Sequence, residues 1–185
     1  MINRNVLRET RSWVVSIGLA LLLALFMRNV VVARASTPTP SMESTINVGD
    51  SVVLWRLAYM FSEPQRFHVI AFDCPDGGTT TYLKRIVGLP GETLEIVGGQ
   101  VFINGSDEPL DEWYLLEPPQ WWSLTDQTFH IPEGHFFVMG DHRNNSKDSR
   151  GLGINAWENQ FIPRENIVGR LTFTFLPFDR IGIIR

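Results

Sequence analysis

The fold is indicated most clearly by residues 80–105, which read TTYLKRIVGLPGETLEIVGGQVFING. Thr80–Val87, Thr93–Val97 and Gln100–Ile103 are short runs rich in β-branched and aromatic residues, and such runs are typical of β-strands. Gly98-Gly99 separates the last two runs and predicts a tight hairpin. Because strands joined by so short a turn are antiparallel, this stretch favours an antiparallel sheet.

The same pattern continues on both sides of this stretch. Further strands are predicted at Ser51–Trp55, Val69–Phe72, Phe129–Ile131, Phe136–Met139 and Ile167–Phe175. Two short segments, around Leu57–Phe61 and Asn155–Gln160, are the helix candidates of this part of the chain. The predicted fold class is therefore mainly β, a compact and largely antiparallel domain.

An apolar segment precedes the β domain. Residues 12–27 carry no charge, and extending the count to Ala33 gives about 33 Å of helix, enough to cross a bilayer core. Arg28 lies near the far end, where its side chain can reach the headgroups. A cleavable signal peptide is the alternative, because small residues surround Arg34. The length of the apolar run favours a retained transmembrane anchor.

The chain is thus predicted to have four parts. They are an N-terminus at 1–11, an anchor at 12–33, an extended linker at 34–40 and a β-rich domain at 41–185. The two prolines of the linker exclude a helix there. Because more arginines precede the anchor than follow it, the positive-inside rule places the N-terminus in the cytoplasm and the β-rich domain outside.

Composition narrows the possible functions. The net charge of −4, without a basic run, gives no reason to expect nucleic-acid binding. The single cysteine, Cys74, cannot form an intrachain disulfide and leaves too few thiols for the usual zinc site. Its acidic, turn-like surroundings do not favour a reactive thiolate. We therefore expect neither a metal nor a cofactor.

Ser41 directly follows the linker and is a candidate nucleophile, which needs a neighbouring base. His142 follows Asp141 and is compatible with a Ser-His-Asp triad, although adjacent side chains point in different directions. Lys84 is the other candidate base. Its predicted strand places an aromatic and a branched apolar residue on the same face, and an amine buried between them favours its neutral form. Most strand lysines are solvated, so the strand alone does not prove this role.

Two further segments stand out. Residues 140–150, GDHRNNSKDSR, are dense in hydrogen-bonding side chains, which suits a polar network beside a site, with a plain surface loop as the alternative. Glu108–Thr128 concentrates aromatic residues, including Trp113, Trp121 and Trp122. Such residues on a loop either cover the β core, which is the more common outcome, or rest at a membrane interface.

Taken together, these motifs resemble the bacterial type I signal peptidases. The shared order is an apolar span ending in arginine, then Ser41-Met42, then YLKRIVGLPGE from Tyr82 and MGDHRNNSKDSR from Met139. The resemblance extends from the anchor to about Phe175, and the single anchor is similar to the Gram-positive members. It implies a serine endopeptidase of the bacterial cell membrane with a twisted core of two antiparallel sheets. Such an enzyme removes signal peptides from exported preproteins after small residues at positions −1 and −3, so its partners are those peptides and the lipid bilayer.

The resemblance also implies a role for individual residues. Ser41 would be the nucleophile and Lys84 the general base of a Ser-Lys dyad. Thr39 would help the Ser41 backbone N–H bind the oxyanion, and Ser146 would hold the lysine amine in place. Structural support of the site is assigned to Asp141, Arg85, Asp148 and Arg150, and the substrate pocket to Met42, Ile46, Tyr82 and Leu83.

Some positions depart from the family pattern. Ser44 stands where proline is usual, Ile46 where leucine is usual, Pro40 where glycine or aspartate is common, and His142 where asparagine is usual. The changes near Ser41 touch the pocket wall, so substrate preference is less firmly implied than the mechanism. Two rival interpretations remain. A soluble self-cleaving repressor should carry a DNA-binding region instead of an anchor. An inactive membrane-tethered module would not need an intact dyad.

Overall fold

The computed structural model describes residues 4–26, 32–74, 80–119, 126–151 and 161–185. Within them, one long helix is followed by strands and short 3₁₀ turns. The helix is α1 (Arg4–Phe26), and the strands are β1 (Val32–Ser36), β2 (Ser51–Trp55), β3 (Val69–Asp73), β4 (Thr81–Gly88), β5 (Thr93–Val97), β6 (Gln100–Ile103), β7 (Gln127–His130), β8 (His135–Met139), β9 (Ile162–Pro163), β10 (Ile167–Leu176) and β11 (Gly182–Ile183). The 3₁₀ helices are Pro40–Met42, Arg143–Asn145, Arg164–Asn166 and Phe178–Arg180.

The strands form two sheets. The large sheet has the order β1-β2-β10-β3-β4-β8-β9, with β11 paired to β10, and the small sheet has the order β6-β5-β7. Every pairing is antiparallel. The prediction of a mainly β, antiparallel fold is confirmed.

Strand β4 lies inside the large sheet, between β3 and β8. Lys84 is opposite Ile70 on β3, and Arg85 is opposite Val69 on β3 and Met139 on β8. Successive side chains leave a strand on opposite sides. Lys84 and Arg85 therefore meet different surroundings although they are adjacent in the chain.

Three clusters of buried apolar side chains form the core. Strand β3 lies between two of these clusters, and its side chains alternate between them. Val69 and Ala71 belong to one cluster, and Ile70 and Phe72 belong to the other. The third cluster fills the space between the two sheets. A Cβ on Gly88 would overlap Ile131, so glycine permits the close approach of chain segments there.

The N-terminal region differs from the prediction. The described part of helix α1 is Arg4–Phe26, and Val32–Ser36 forms β1, which pairs with β2 from Val32 opposite Trp55 to Ser36 opposite Ser51. Residues 32 and 33, expected in the anchor, therefore lie in a strand, as does the first part of the expected linker. Pairing with β2 gives these backbone groups hydrogen-bond partners that an isolated linker would lack.

None of the described helical residues forms a segment both long and apolar enough to cross a membrane.

The helix expected at Leu57–Phe61 is wrong. This segment forms successive turns, with Met60 N–H donating to Leu57 O at 3.2 Å. The second helix candidate, Asn155–Gln160, and two of the tryptophans, Trp121 and Trp122, lie outside the described residues.

Candidate active site

Ser41 is held by a short, rigid turn. It lies in the 3₁₀ helix Pro40–Met42, which begins with a proline whose ring fixes φ. Met42, the next residue, is fully buried in the core, and its carbonyl accepts a hydrogen bond from Ile46 N–H at 2.8 Å. The turn is therefore anchored by packing on one side of Ser41, whose own side chain is 6% exposed.

Lys84 reaches Ser41 from strand β4. Its Nζ donates a hydrogen bond of 2.6 Å to Ser41 Oγ, and the lysine is only 2% exposed. The structure thus brings together two residues that are 43 positions apart in the chain. A serine hydroxyl in contact with an amine has the geometry that proton transfer between them requires.

The surroundings of Lys84 favour its neutral form. Burial lowers the pKa of Lys84 to about 8, an effect that the negative charges of Asp148 and Asp141 oppose. About a tenth of the lysine would be neutral at pH 7, and most of it above pH 9. Lys84 can therefore accept a proton near neutral pH, which an exposed lysine does rarely.

Thr39 lies beside the nucleophile. Its Oγ1 is 3.4 Å from Ser41 Oγ, and either oxygen can be the donor. The N–H of Ser41 is at the start of the 3₁₀ helix, where backbone donors have no partner within the helix. Both groups are thus close enough to the reacting oxygen to be candidate donors to an oxyanion.

Arg85 and Asp141 form an ion pair under the site. Arg85 Nε donates to Asp141 Oδ1 at 2.9 Å and Arg85 Nη2 to Asp141 Oδ2 at 2.7 Å, and both side chains are fully buried. Arg85 Nη1 also donates to the backbone carbonyls of Phe67 and Arg185, at 2.7 and 2.6 Å. The Tyr114 ring lies 4.1 Å from the guanidinium carbon. Every face of this cation is therefore in contact with the protein.

Asp148 and Arg150 form a second buried ion pair. Arg150 Nε and Nη2 donate to the two carboxylate oxygens of Asp148 at 2.8 and 2.9 Å, and Gly140 N–H also donates to Asp148 at 3.0 Å. Burial alone would raise the pKa of Asp148, but the charge and hydrogen bonds of Arg150 prevail and lower it to about 2. The carboxylate stays charged at physiological pH and fixes the loop of residues 140–150.

Ser146 does not make the hydrogen bond to Lys84 that the resemblance implied. Its Oγ is buried, and Ser146 is among the groups whose hydrogen bonds lower the pKa of the neighbouring Asp148. The hydroxyl packs against Gly140, where an added Cβ would overlap both Ser146 and the backbone carbonyl of Ser41. Ser146 therefore lies next to the nucleophile's backbone, and the hydrogen bond described for the amine of Lys84 is to Ser41.

The histidines contact other partners. His142 donates its backbone N–H to Ser41 O at 3.2 Å, but its ring nitrogens lie 3.2 and 3.3 Å from carboxylate oxygens of Glu43 and Glu117. The hydrogen bonds described for Ser41 Oγ are with Lys84 and Thr39. Within the described residues, no group of three or more His, Cys, Asp or Glu side chains could hold a metal ion.

A cavity of about 200 Å³ opens beside the dyad. Tyr82 and Leu83 line it, as the resemblance implied. Met42 and Ile46 do not, because both are fully buried in the core cluster against β2, β3 and β10. The remaining wall comes from residues that the sequence analysis did not assign to the pocket: Ala35, Thr37, Pro38, Leu54, Ala71, Thr80 and Thr81.

The aromatic segment is tied to the site by hydrogen bonds, one of them to Glu112, which the sequence analysis did not single out. Glu112 pairs with the buried Arg143, whose Nη1 donates to Glu112 Oε2 at 2.9 Å. Tyr114 O accepts a hydrogen bond of 2.6 Å from Ser44 Oγ. The described part of this segment therefore packs over the polar loop 140–150. This position is similar to the predicted cover of the β core, although Trp113 is largely exposed.

A buried serine hydroxyl in contact with a buried amine, on a rigid antiparallel scaffold beside a small cavity, has the features of a serine hydrolase. Residues 10–176 match the family described as "Signal peptidase, peptidase S26". The chain belongs to this family and is a serine peptidase, and the resemblance to bacterial type I signal peptidases is confirmed.

The relatives come from several bacterial groups. The chain is 36% identical over 174 residues to "Signal peptidase I" of Leptolyngbya laminosa, covering 90% of this chain and 80% of that one. It is 39% identical to "Probable signal peptidase I-1" of Synechocystis, with 88% and 81% covered, and 33% identical to "Signal peptidase I S" of Bacillus subtilis, with 91% and 90% covered. The crystal structure of a signal peptidase I from Enterococcus faecalis is 32% identical and covers 60% of this chain and 98% of that one, with a TM-score of 0.47.

Proposed function

We propose that this chain is a membrane-anchored endopeptidase that removes signal peptides from exported preproteins, with Ser41 as nucleophile and neutral Lys84 as general base. The observation that carries the proposal is the 2.6 Å contact between Lys84 Nζ and Ser41 Oγ, both of them buried. The three bacterial relatives described above are each named as a signal peptidase I, which supports the choice of substrate.

The reaction has two halves. Neutral Lys84 accepts the proton of Ser41 Oγ as this oxygen attacks the scissile carbonyl, and the resulting ammonium then gives a proton to the leaving amine, so an acyl-enzyme remains. In the second half Lys84 accepts a proton from the water molecule that attacks the ester, and it gives this proton to Ser41 Oγ as the ester bond breaks and the signal peptide is released. Lys84 thus both accepts and donates the protons of the two halves, so no other side chain has to transfer one.

Charge that develops on the carbonyl oxygen needs donors at the site. We assign the Ser41 backbone N–H and the Thr39 hydroxyl to this role, because the first is unpaired within its 3₁₀ helix and the second is 3.4 Å from the nucleophile. Ser146 is proposed to receive the Lys84 amine once Ser41 is acylated. The buried position of Ser146 beside Gly140 and the Ser41 carbonyl supports this role.

The cavity favours small substrate side chains. The cavity beside Ser41 has a volume of about 200 Å³, and Ala35, Ala71 and Leu83 are among the residues that line it. We therefore propose that small residues at −1 and −3 of the preprotein enter this space. The purified protein should cleave a preprotein with alanine at −1 and should not cleave one with phenylalanine there, and its Ser41→Ala variant should cleave neither. Equal rates for alanine and phenylalanine would contradict the signal-peptide specificity, and an active Ser41→Ala variant would contradict the mechanism.

The anchor and its orientation are part of the proposal. Apolar side chains of α1 such as Leu19, Leu22 and Leu23 are exposed to the surroundings, which is unfavourable in water and favourable in lipid. Residues 1–11 are proposed to face the cytoplasm and residues 35–185 the outside. Protease added to intact spheroplasts should then digest the β domain. Digestion only after permeabilisation would contradict this orientation.

A further inference from the structure

A short loop with exposed apolar side chains follows β2. Residues 56–61 form this loop, which we call the tip loop. Phe61 is 92% exposed and Met60 is 59% exposed, so two large apolar side chains that are adjacent in the chain face the surroundings. Single exposed apolar residues are ordinary in soluble proteins, whereas several that are adjacent indicate an interaction site.

The body of the domain holds the tip loop in place, so this exposure is built into the fold. The ring of Tyr59 packs in a core cluster, and its carbonyl accepts a hydrogen bond of 2.7 Å from Arg164 Nη2. Ser62 Oγ donates a hydrogen bond of 2.7 Å to Ala58 O, across the base of the loop. Because the chain is fixed on both sides of Phe61, this side chain is presented outward instead of folding back onto the core.

The sheet places the tip loop at the end of the domain nearest to α1. Strand β1 begins at Val32, which is opposite Trp55, the last residue of β2. Because the two strands are antiparallel, β2 ends where β1 begins, and the tip loop starts at that point. The chain from Phe26, the last described residue of α1, to Val32 spans about 20 Å at most. The tip loop is therefore close to the place where the proposed anchor would leave a bilayer.

The residues at this end of the domain have the chemistry of a lipid contact. Trp55 is 44% exposed, and Arg56 beside it is exposed as well. Tryptophan and arginine are favoured at the level of the lipid headgroups, and larger apolar side chains such as those of Met60 and Phe61 are favoured below it. The sequence of side chains from Trp55 to Phe61 therefore matches a lipid surface.

Other features of the loop are compatible with this partner. The exposed carboxylate of Glu63 lies 3.5 Å from Arg164 Nε, so its negative charge is partly compensated. A second copy of this chain is a poorer match for the loop. Two protruding side chains offer much less area than the roughly 800 Å² per partner that a stable protein interface buries.

We propose that the tip loop is a second membrane contact, in which Met60 and Phe61 enter the lipid surface near α1. This inference rests on the proposed function, because it needs α1 to anchor the chain in a bilayer. A single anchor limits the distance between the domain and the bilayer but leaves the tilt of the domain undetermined. With a second contact on the same sheet, the cavity beside Ser41 keeps a fixed orientation toward the membrane.

The test measures the surroundings of a nitroxide spin label in the full-length protein, reconstituted in vesicles of phosphatidylcholine and phosphatidylglycerol. Cys74→Ser removes the natural thiol, and the label is then attached to a cysteine introduced by Phe61→Cys. Paramagnetic resonance compares collisions of the label with oxygen, which concentrates in lipid, and with a nickel chelate, which stays in water. The label at position 61 should collide mainly with oxygen.

Two further variants in the same background calibrate the measurement. Leu19→Cys places the label on an exposed apolar position of α1 and should report lipid. Asp107→Cys is the matched control, because Asp107 is exposed and lies outside the tip loop, and it should report water. A thermal melt of each variant shows that it is folded.

Two results would overturn the inference while position 19 reports lipid. Collisions mainly with the nickel chelate at position 61, as at position 107, would show that the loop stays in water. Protection from both reagents would show that another protein surface covers Phe61. Failure of the proposed anchor looks different, because position 19 would then report water as well, and both proposals would fall.

Discussion

Lys84 and Arg85 are adjacent on β4 and equally removed from water, yet their surroundings are opposite in character. Arg85 meets a carboxylate on Asp141, two backbone carbonyls and an aromatic ring, so its charge is fully compensated. Lys84 meets the neutral hydroxyl of Ser41, and burial lowers its pKa to about 8. Burial is common to both positions, and the partner decides whether the buried group supports the fold or can exchange a proton.

The residue type at each position matches this division. A guanidinium stays charged at any physiological pH and binds a carboxylate through two parallel hydrogen bonds, as Arg85 does. An amine can lose its proton when it is desolvated, as the proposed role of Lys84 requires. Exchanging the two residue types should therefore affect activity at one position and stability at the other.

The largest effect is expected for Lys84→Arg. This change keeps a positive charge and a long side chain but removes the possibility of deprotonation, so kcat should fall by about 10⁴-fold or more, to the level of Ser41→Ala. Initial rates with a preprotein and a thermal melt measure activity and folding side by side. His142→Ala is the control and should remain active, because its ring contacts Glu43 and Glu117. Substantial turnover by Lys84→Arg together with an inactive His142→Ala would restore the histidine hypothesis.

Breaking the ion pair of Arg85 and Asp141 should mainly lower the free energy of unfolding. Asp141→Asn leaves Arg85 buried without a countercharge, and the loss of one partner of such a pair typically costs about 3–5 kcal/mol. Urea unfolding of the variant measures this difference. Asp107→Asn, at an exposed position, should change the free energy of unfolding by about 0.5 kcal/mol or less. If the two variants were equally stable, the pair would not be a structural support of the site.

Thr39→Ala tests the donors around the nucleophile. Removing one oxyanion donor usually lowers kcat by about 10²–10³-fold, and Thr39→Ser should keep much of the activity because it retains the hydroxyl. Single-turnover rates of the two variants, measured with the same preprotein, separate this effect from substrate binding. If Thr39→Ala is as fast as the parent, the oxyanion is held by backbone groups alone.

The smallest expected effect is a shift along the pH axis. Lys84 must be neutral to accept the serine proton, so the rate should rise with pH through a midpoint near 8 and then level off. An exposed lysine would place this limb near pH 10.4. Asp148→Asn removes a negative charge that raises the pKa of Lys84, so in a folded variant the midpoint should move to lower pH. A shift to higher pH would contradict the assignment of this limb to Lys84.

Local patterns predicted most strands of the fold. Ser51–Trp55, Thr93–Val97 and Gln100–Ile103 have the same bounds in the structure as in the sequence analysis, because their β-branched residues and flanking turns are local signals. Strand β1 was missed since its stability comes from pairing with β2, about twenty residues further along the chain. The turn at Leu57–Phe61 looked helical because a short apolar run carries no clear periodicity.

The site was predictable only in part, for a related reason. Long motifs pointed to Ser41 and Lys84, and the structure brings them into contact. The cavity wall was predicted less well, because Met42 and Ile46 follow the nucleophile in sequence but point into the core.

The hydrogen bond from Arg85 to the carbonyl of Arg185 limits the order in which the contacts of the fold can form. The two residues are 100 positions apart, and β2 and β10, which pair with each other, are separated even more widely. Contacts of such high contact order form late, since the intervening chain must close a long loop first. In the proposed topology, the Arg85 cluster cannot be completed before residue 185 has reached the outer side of the membrane. The support under Ser41 and Lys84 is therefore completed late in folding.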